Sequence, residues 1–125
     1  MKKTIEITHF KEGRRKLVSV PDGRLKSKFV LYESDFDDLM ALGVSPLWHY
    51  YHDSVAIVRS GGKEVPVGRL IRDAKEGQIV IAQDGNPFNL RRENLILAPG
   101  MSKSRARGII VKPYKQTHTV KNIYN

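Results

Sequence analysis

The chain has 125 residues, no cysteine, and 22 Lys/Arg against 13 Asp/Glu, a formal net charge of +9. That length suits a single domain with a modest core, and the lack of cysteine removes a disulfide framework, a thiolate zinc site and a cysteine nucleophile. No apolar run approaches the length of a membrane span, and Met1-Lys2-Lys3-Thr4-Ile5-Glu6 lacks the apolar stretch of a secretory signal.

The charge is segregated. Residues 1–30 hold nine basic side chains against three acids, residues 31–60 one against five, and residues 101–125 six against none. Basic charge gathered in this way is the electrostatic footprint of a polyanion binder. The plainer alternative is a solvated surface that favours solubility.

In chain order, Thr4-Ile5-Glu6-Ile7-Thr8 alternates as a half-buried strand does. A basic turn follows at residues 11–16, and Leu17-Val18-Ser19-Val20 is a second strand ended by Pro21-Asp22-Gly23, a strong turn signal. Arg24, Lys26 and Lys28 alternate ahead of Phe29-Val30-Leu31, which on a strand places all three charges on one face, able to track a nucleic-acid backbone. Ser34 is expected to cap a helix, with Asp37 in capping-box register and Asp35, Asp37 and Asp38 favoured by the helix dipole. Phe36, Leu39 and Met40 form its apolar stripe, and Gly43 is placed to end it.

Residues 47–52, Leu-Trp-His-Tyr-Tyr-His, predict a strand; Val55 to Arg59 would return from it, and Gly61-Gly62 would turn into residues 63–67, a three-stranded meander. Trp48 is expected in the core. His49, His52 and Asp53 fall short of a closed zinc ligand set and are read as ordinary sheet and turn residues. Residues 68–76 predict a short helix with Leu70, Ile71 and Ala74 inward and Arg69, Arg72 and Lys75 outward, terminated by Gly77.

Residues 78–108 organise the rest. Ile79-Val80-Ile81 is a strand, Asp84-Gly85-Asn86-Pro87 a dense cluster of turn formers, and Asn94-Leu95-Ile96-Leu97 a strand able to pair back. Residues 101–107 then carry Lys103, Arg105 and Arg107 on a short helix or extended arm. Asn94 is expected to bond backbone across the loop, and Arg91 and Arg92 either to meet phosphates or to hold loop carbonyls.

On these motifs (Gly85-Asn86-Pro87, Arg91-Arg92-Glu93-Asn94-Leu95, the Ser102 region, and Val65-Pro66-Val67-Gly68-Arg69-Leu70-Ile71 upstream) residues 29–108 resemble the HNH endonucleases of phage and intron homing type. The resemblance implies an α+β fold: a small antiparallel β-meander followed by a degenerate ββα core. It also implies a division into basic N-terminal strands (1–32), an HNH-like domain (33–108) and a basic C-terminal tail (109–125); the tail opens on a strand-like run at residues 109–114, and its polar, basic composition leaves open whether the rest folds only on binding a partner. Where that family has its metal-ligating Asp, general-base His and closing Asn, this chain has Ile81, Ala82 and Lys103, and Gly68 stands where a His is common. Ile and Ala offer neither lone pairs nor a proton acceptor, so a cation and an activated water would lack their ligands and base. Lys103 repels a divalent ion but suits a phosphate.

The expectation is therefore no catalytic residue, no metal and no cofactor. Double-stranded DNA is the expected partner, with RNA as the alternative nucleic acid, in the cytoplasm or on the nucleoid. Phosphate contacts are assigned to Arg24, Lys26, Lys28, Arg91, Arg92, Lys103, Arg105, Arg107, Lys112 and Lys115. Such a protein of phage or mobile-element origin would act as a regulator, an accessory factor or a blocker of another DNA enzyme. Two alternatives stand beside it: an effector that binds a host enzyme through the acidic helix and aromatic hairpin, and a nuclease with ligands relocated to His49, His52, Asp53 and Asp84.

Overall fold

The computed structural model describes residues 5–23, 26–51, 55–60, 62–110 and 118–123. In chain order these form β1 (Glu6–Glu12), β2 (Arg15–Pro21), β3 (Lys28–Tyr32), α1 (Glu33–Ala41), β4 (His49–Tyr51), β5 (Val55–Ser60), β6 (Lys63–Pro66), α2 (Val67–Ile71), β7 (Gln78–Ala82), β8 (Leu95–Pro99) and β9 (Thr119–Asn122). The architecture is α+β, mostly strands in three small sheets with two helices.

The first sheet has the order β3-β2-β1-β9. Gly13, at φ +62°, makes the two-residue turn that pairs Glu12 with Arg15, a conformation that glycine adopts without a Cβ penalty. Leu17, Val18, Ser19 and Val20 are all buried, as a central strand covered on both faces requires. β9 joins β1 in parallel, with Glu6 opposite Thr119 and His9 opposite Asn122. The described part of the tail is thus built into the sheet, where the free edge of β1 supplies the backbone partners that β9 needs.

The predicted meander forms, with β5 paired antiparallel to β4 and β6. Its aromatic start closes the core: Trp48 is fully buried and its indole N–H donates to the Ser45 carbonyl at 2.6 Å. Phe29 and Phe36 lie 6.2 and 6.3 Å from it. Asp22, buried, accepts the Tyr50 amide at 2.9 Å and so fixes the start of β4.

Both helices differ from expectation in their ends. α1 begins a residue early, on an extended Tyr32 with no side-chain cap; Ser34 is an exposed first-turn residue rather than the cap. The Asp35 carboxylate is drawn inward instead, where Arg92 binds it at 2.8 Å. Gly43 ends the helix at φ +87°, as read. α2 spans only Val67–Ile71, because the chain turns at Asp73 (φ +49°) and again at Gly77 (φ +81°). Arg69 does not point outward. It is buried, and its guanidinium donates to the carbonyls of Gln78, Lys75 and Ser104 at 3.0, 3.1 and 2.9 Å. Those carbonyls give a buried guanidinium the acceptors it needs. Arg72, half-buried, donates to the Leu95 carbonyl. Leu70, Ile71 and Ala74 do face the core.

β7 and β8 pair antiparallel from Gln78 opposite Pro99 to Ala82 opposite Leu95. Val80 and Leu95 pack inward against Gly68, where an added Cβ would come within 3.1 Å of Val80 Cγ1. After β8 the chain is an extended arm through residue 105, then a short 3-10 turn at Ala106–Ile109. The arm rather than the helix is what forms, tied down by the Arg69 bond to Ser104 and by the Ala106 amide on the Ala74 carbonyl at 3.0 Å.

Candidate functional site

The β7–β8 hairpin loop is a network of short polar side chains. Buried Asn94 accepts the Asp84 amide at 3.0 Å and donates to Asp84 Oδ1 and to the Asn89 carbonyl, both at 2.9 Å. Asp84 also accepts the Asn86 amide and the Asn89 side-chain amide, at 2.8 and 2.9 Å. Asn86 and Asn89 accept the amides of Phe88 and Arg91 in turn. These are the local side-chain turns that Asn and Asp favour, and Asn94 holds the loop as the sequence indicated. The Asn89 bond first, then the Asn86 amide, keeps the Asp84 carboxyl below the usual carboxylate range.

The loop is docked on the first sheet. The Val30 amide donates to the Phe88 carbonyl at 2.9 Å and the Leu90 amide to the Val30 carbonyl at 2.8 Å. Phe88 stacks on Phe29, with ring centroids 4.8 Å apart, and lies 5.3 Å from Tyr50. Sequence reasoning missed Phe88, which sits among turn formers; an aromatic residue in an otherwise polar loop was the available signal.

Ile81, Ala82, Gly68 and Lys103, singled out in the sequence, fall at different places in the structure. Ile81 is half exposed on the outer face of β7. Ala82 and Gly68 border a small, mainly apolar hollow of about 30 Å³ together with Ala56, Val80 and Leu95. That is room for about one water. Lys103 is exposed on the arm. Among the described residues, no group of three or more His, Asp or Glu side chains is disposed to hold a metal ion. Of the relocated-ligand set, Asp84 is occupied by the loop amides and His49 is paired with Ile57 in the meander; His52 and Asp53 lie outside the described residues.

The residues expected to meet phosphate fall into two groups. Four arginines are tied to carboxylates of the chain: Arg91 to Glu12 and Arg107 to Asp38 at 2.8 Å, Arg92 to Asp35 at 2.8 Å, and Arg105 to Asp73 at 2.6 Å. Arg92 and Arg107 also donate to the carbonyls of Ile71 and Leu70. Arg105 is the chief cause of a depressed Asp73 carboxyl. The second group, Lys26, Lys28 and Lys103, is exposed. Lys28 opens β3, whereas Lys26 lies in the bend before it, so these two do not share a strand face as expected. Arg24, Lys112 and Lys115 lie outside the described residues.

A further link missed in sequence joins the sheet to the hairpin. Tyr32 O–H donates to Glu93 at 2.5 Å, and Arg15 donates to the same Tyr32 oxygen at 2.9 Å. Burial first, then the Glu93 bond, raises the Tyr32 phenol above its ordinary range.

No protein-family model, curated protein or solved structure matches this chain. No helix among the described residues is long and apolar enough to cross a membrane.

Proposed function

We propose that the chain is a non-catalytic nucleic-acid-binding protein of phage or mobile-element type, derived from an HNH endonuclease, with double-stranded DNA as its partner. The observation that carries this reading is the placement of charge. The two basic ends of the sequence meet in one sheet through the parallel β1–β9 pair, and Lys26, Lys28 and Lys121 are exposed there or beside it. Exposed lysines contribute sequence-independent affinity by displacing counterions from phosphates. The hairpin and its Asn94-centred loop are then the remnant of a ββα core, with Ile81, Ala82 and Lys103 in place of its ligands and base. The protein would act in the cytoplasm or on the nucleoid, as a regulator, an accessory factor or a blocker of another DNA enzyme.

Labelled duplex DNA titrated with the protein, with magnesium present, tests this. The DNA should be bound and stay intact. Lys28→Ala with Lys103→Ala should weaken binding and lower the salt dependence by about one unit of slope per lysine. Failure to bind, or cleavage of the duplex, would reject the proposal.

One observation favours the second reading, an effector that binds a host protein. Ile79, Ile81 and Ile96 share the outer face of the hairpin at 36, 50 and 42% exposure, and Met101 beyond it is fully exposed. Clustered exposed apolar side chains are a common mark of a protein contact. The acidic helix suits that role less well, since Asp35 and Asp38 are held by Arg92 and Arg107.

A further inference from the structure

β9 is a lightly held strand. All four of its residues are exposed, Val120 among them at 54%, and Ile123 just after the strand is 60% exposed. Its attachment is mainly backbone: the parallel register on β1, the Thr119 amide on the Ile5 carbonyl at 2.8 Å, and the Ile123 amide on the His9 carbonyl at 2.9 Å. Little apolar burial supports it, so a small local change in free energy decides whether it stays docked.

The residue that leads into β9 is His118. Its ring meets Phe36 of α1 edge-on, with centroids 6.1 Å apart at 84°. His9 of β1 meets the same phenyl ring edge-on at 6.2 Å. His118 Nδ1 is buried and has no hydrogen-bond partner among the described residues. β1 carries Glu6, His9, Lys11 and Glu12, α1 carries Glu33, Asp35, Asp37 and Asp38, and β9 itself carries Lys121. Glu33 is engaged by His9 Nδ1 at 2.9 Å. The Asp37 carboxyl is raised by burial first and then by Glu33.

We propose that His118 is a proton-operated latch: its neutral imidazole lets β9 dock on β1, and its protonation releases the strand. A proton placed on this ring would leave a charge beside Phe36 and His9, with a buried nitrogen that has no acceptor among the described residues. Burial, and after it the nearby His9, already hold the His118 imidazole below its ordinary range. The undocked strand binds the proton more readily than the docked one. Docking is therefore complete above the undocked pKa of about 6.5 and weakens as pH falls below it. Release would bare the edge of β1 and free Lys121 with the strand. This device does not rest on the nucleic-acid reading.

Amide hydrogen exchange on the full chain, corrected for intrinsic rates, tests it. Protection of the Thr119 and Ile123 amides should fall between about pH 8 and about pH 5, by up to about tenfold for each unit by which docking depresses the His118 pKa and by no more than about thirtyfold in all, the limit set by the span from about 6.5 to about 5. The β1–β2 amides should keep their protection. His118→Phe preserves an aromatic ring against Phe36 and cannot titrate, so in it the fall should vanish. A fall that persists in His118→Phe, or none in the wild-type chain, overturns the latch. Should that variant fail to dock β9 at all, NMR titration of His118 in the wild-type chain decides: a midpoint below the unfolded value supports the latch, and a midpoint at or above it overturns the latch.

Discussion

Asn94 and Arg69 show at the residue scale how buried polar groups hold the hairpin. Asn94 makes three side-chain hydrogen bonds in a buried position, so Asn94→Ala should cost about 2–3 kcal/mol in a denaturant titration, because Asp84 and the Asn89 carbonyl lose their partners. Arg69→Met removes donors from three carbonyls. It should cost about 2 kcal/mol or more and loosen the arm before it affects the first sheet. Asp84 gives a pH signature. Its carboxyl is depressed, chiefly by the Asn89 bond, so its contribution is present above the unfolded pKa of about 3.9 and fades as pH falls through the folded value. Asp84→Asn should flatten the acid limb of stability below about pH 4, while Asp73 and Glu93, also depressed through Arg105 and Tyr32, keep part of it. An unchanged acid limb in that variant would show that the loop does not hold the charge as described.

Among the elements, strands were easier to read than helix ends. The β1, β2, β3, meander and hairpin strands followed from alternation and from turn formers, because pleat periodicity and turn chemistry are local. Helix α2 was overestimated because its apolar spacing continues to Ala74, while the chain's reversal at Asp73 is fixed by carbonyls that only the fold brings to Arg69. The parallel β1–β9 pair joins residues more than a hundred positions apart, and no local pattern announces it. The site was legible in part: Asn94 and the loop were read correctly, but the acids that occupy Arg91, Arg92, Arg105 and Arg107 come from distant segments. Gly100 was not singled out, although a Cβ there would lie 2.4 Å from Ile79 Cγ2 and 3.1 Å from Ile79 Cβ. A β-branched side chain cannot swing clear of such a contact cheaply, so Gly100→Ala should destabilise the protein by about 1–3 kcal/mol. Ile79→Ala should restore most of that loss in the double variant, and a thermal melt of the three proteins checks it.

On the scale of the whole molecule, charge divides into a part that holds the fold and a part that faces solvent. The arginine–carboxylate pairs tie the hairpin loop to β1 and α1, the arm to the turn after α2, and the 3-10 turn to α1, whereas Lys26, Lys28 and Lys103 are exposed lysines outside these pairs. The slope of log K against log salt for a duplex DNA measures most directly whether these exposed cations bind a polyanion. Three lysine–phosphate contacts give a slope of about −2.7. Binding through them gives a slope at least that steep, reduced by about 0.9 for each of the three lysines replaced and little changed by Arg92→Ala. A flat slope, or one that is lost with Arg92 and kept without the lysines, would contradict it.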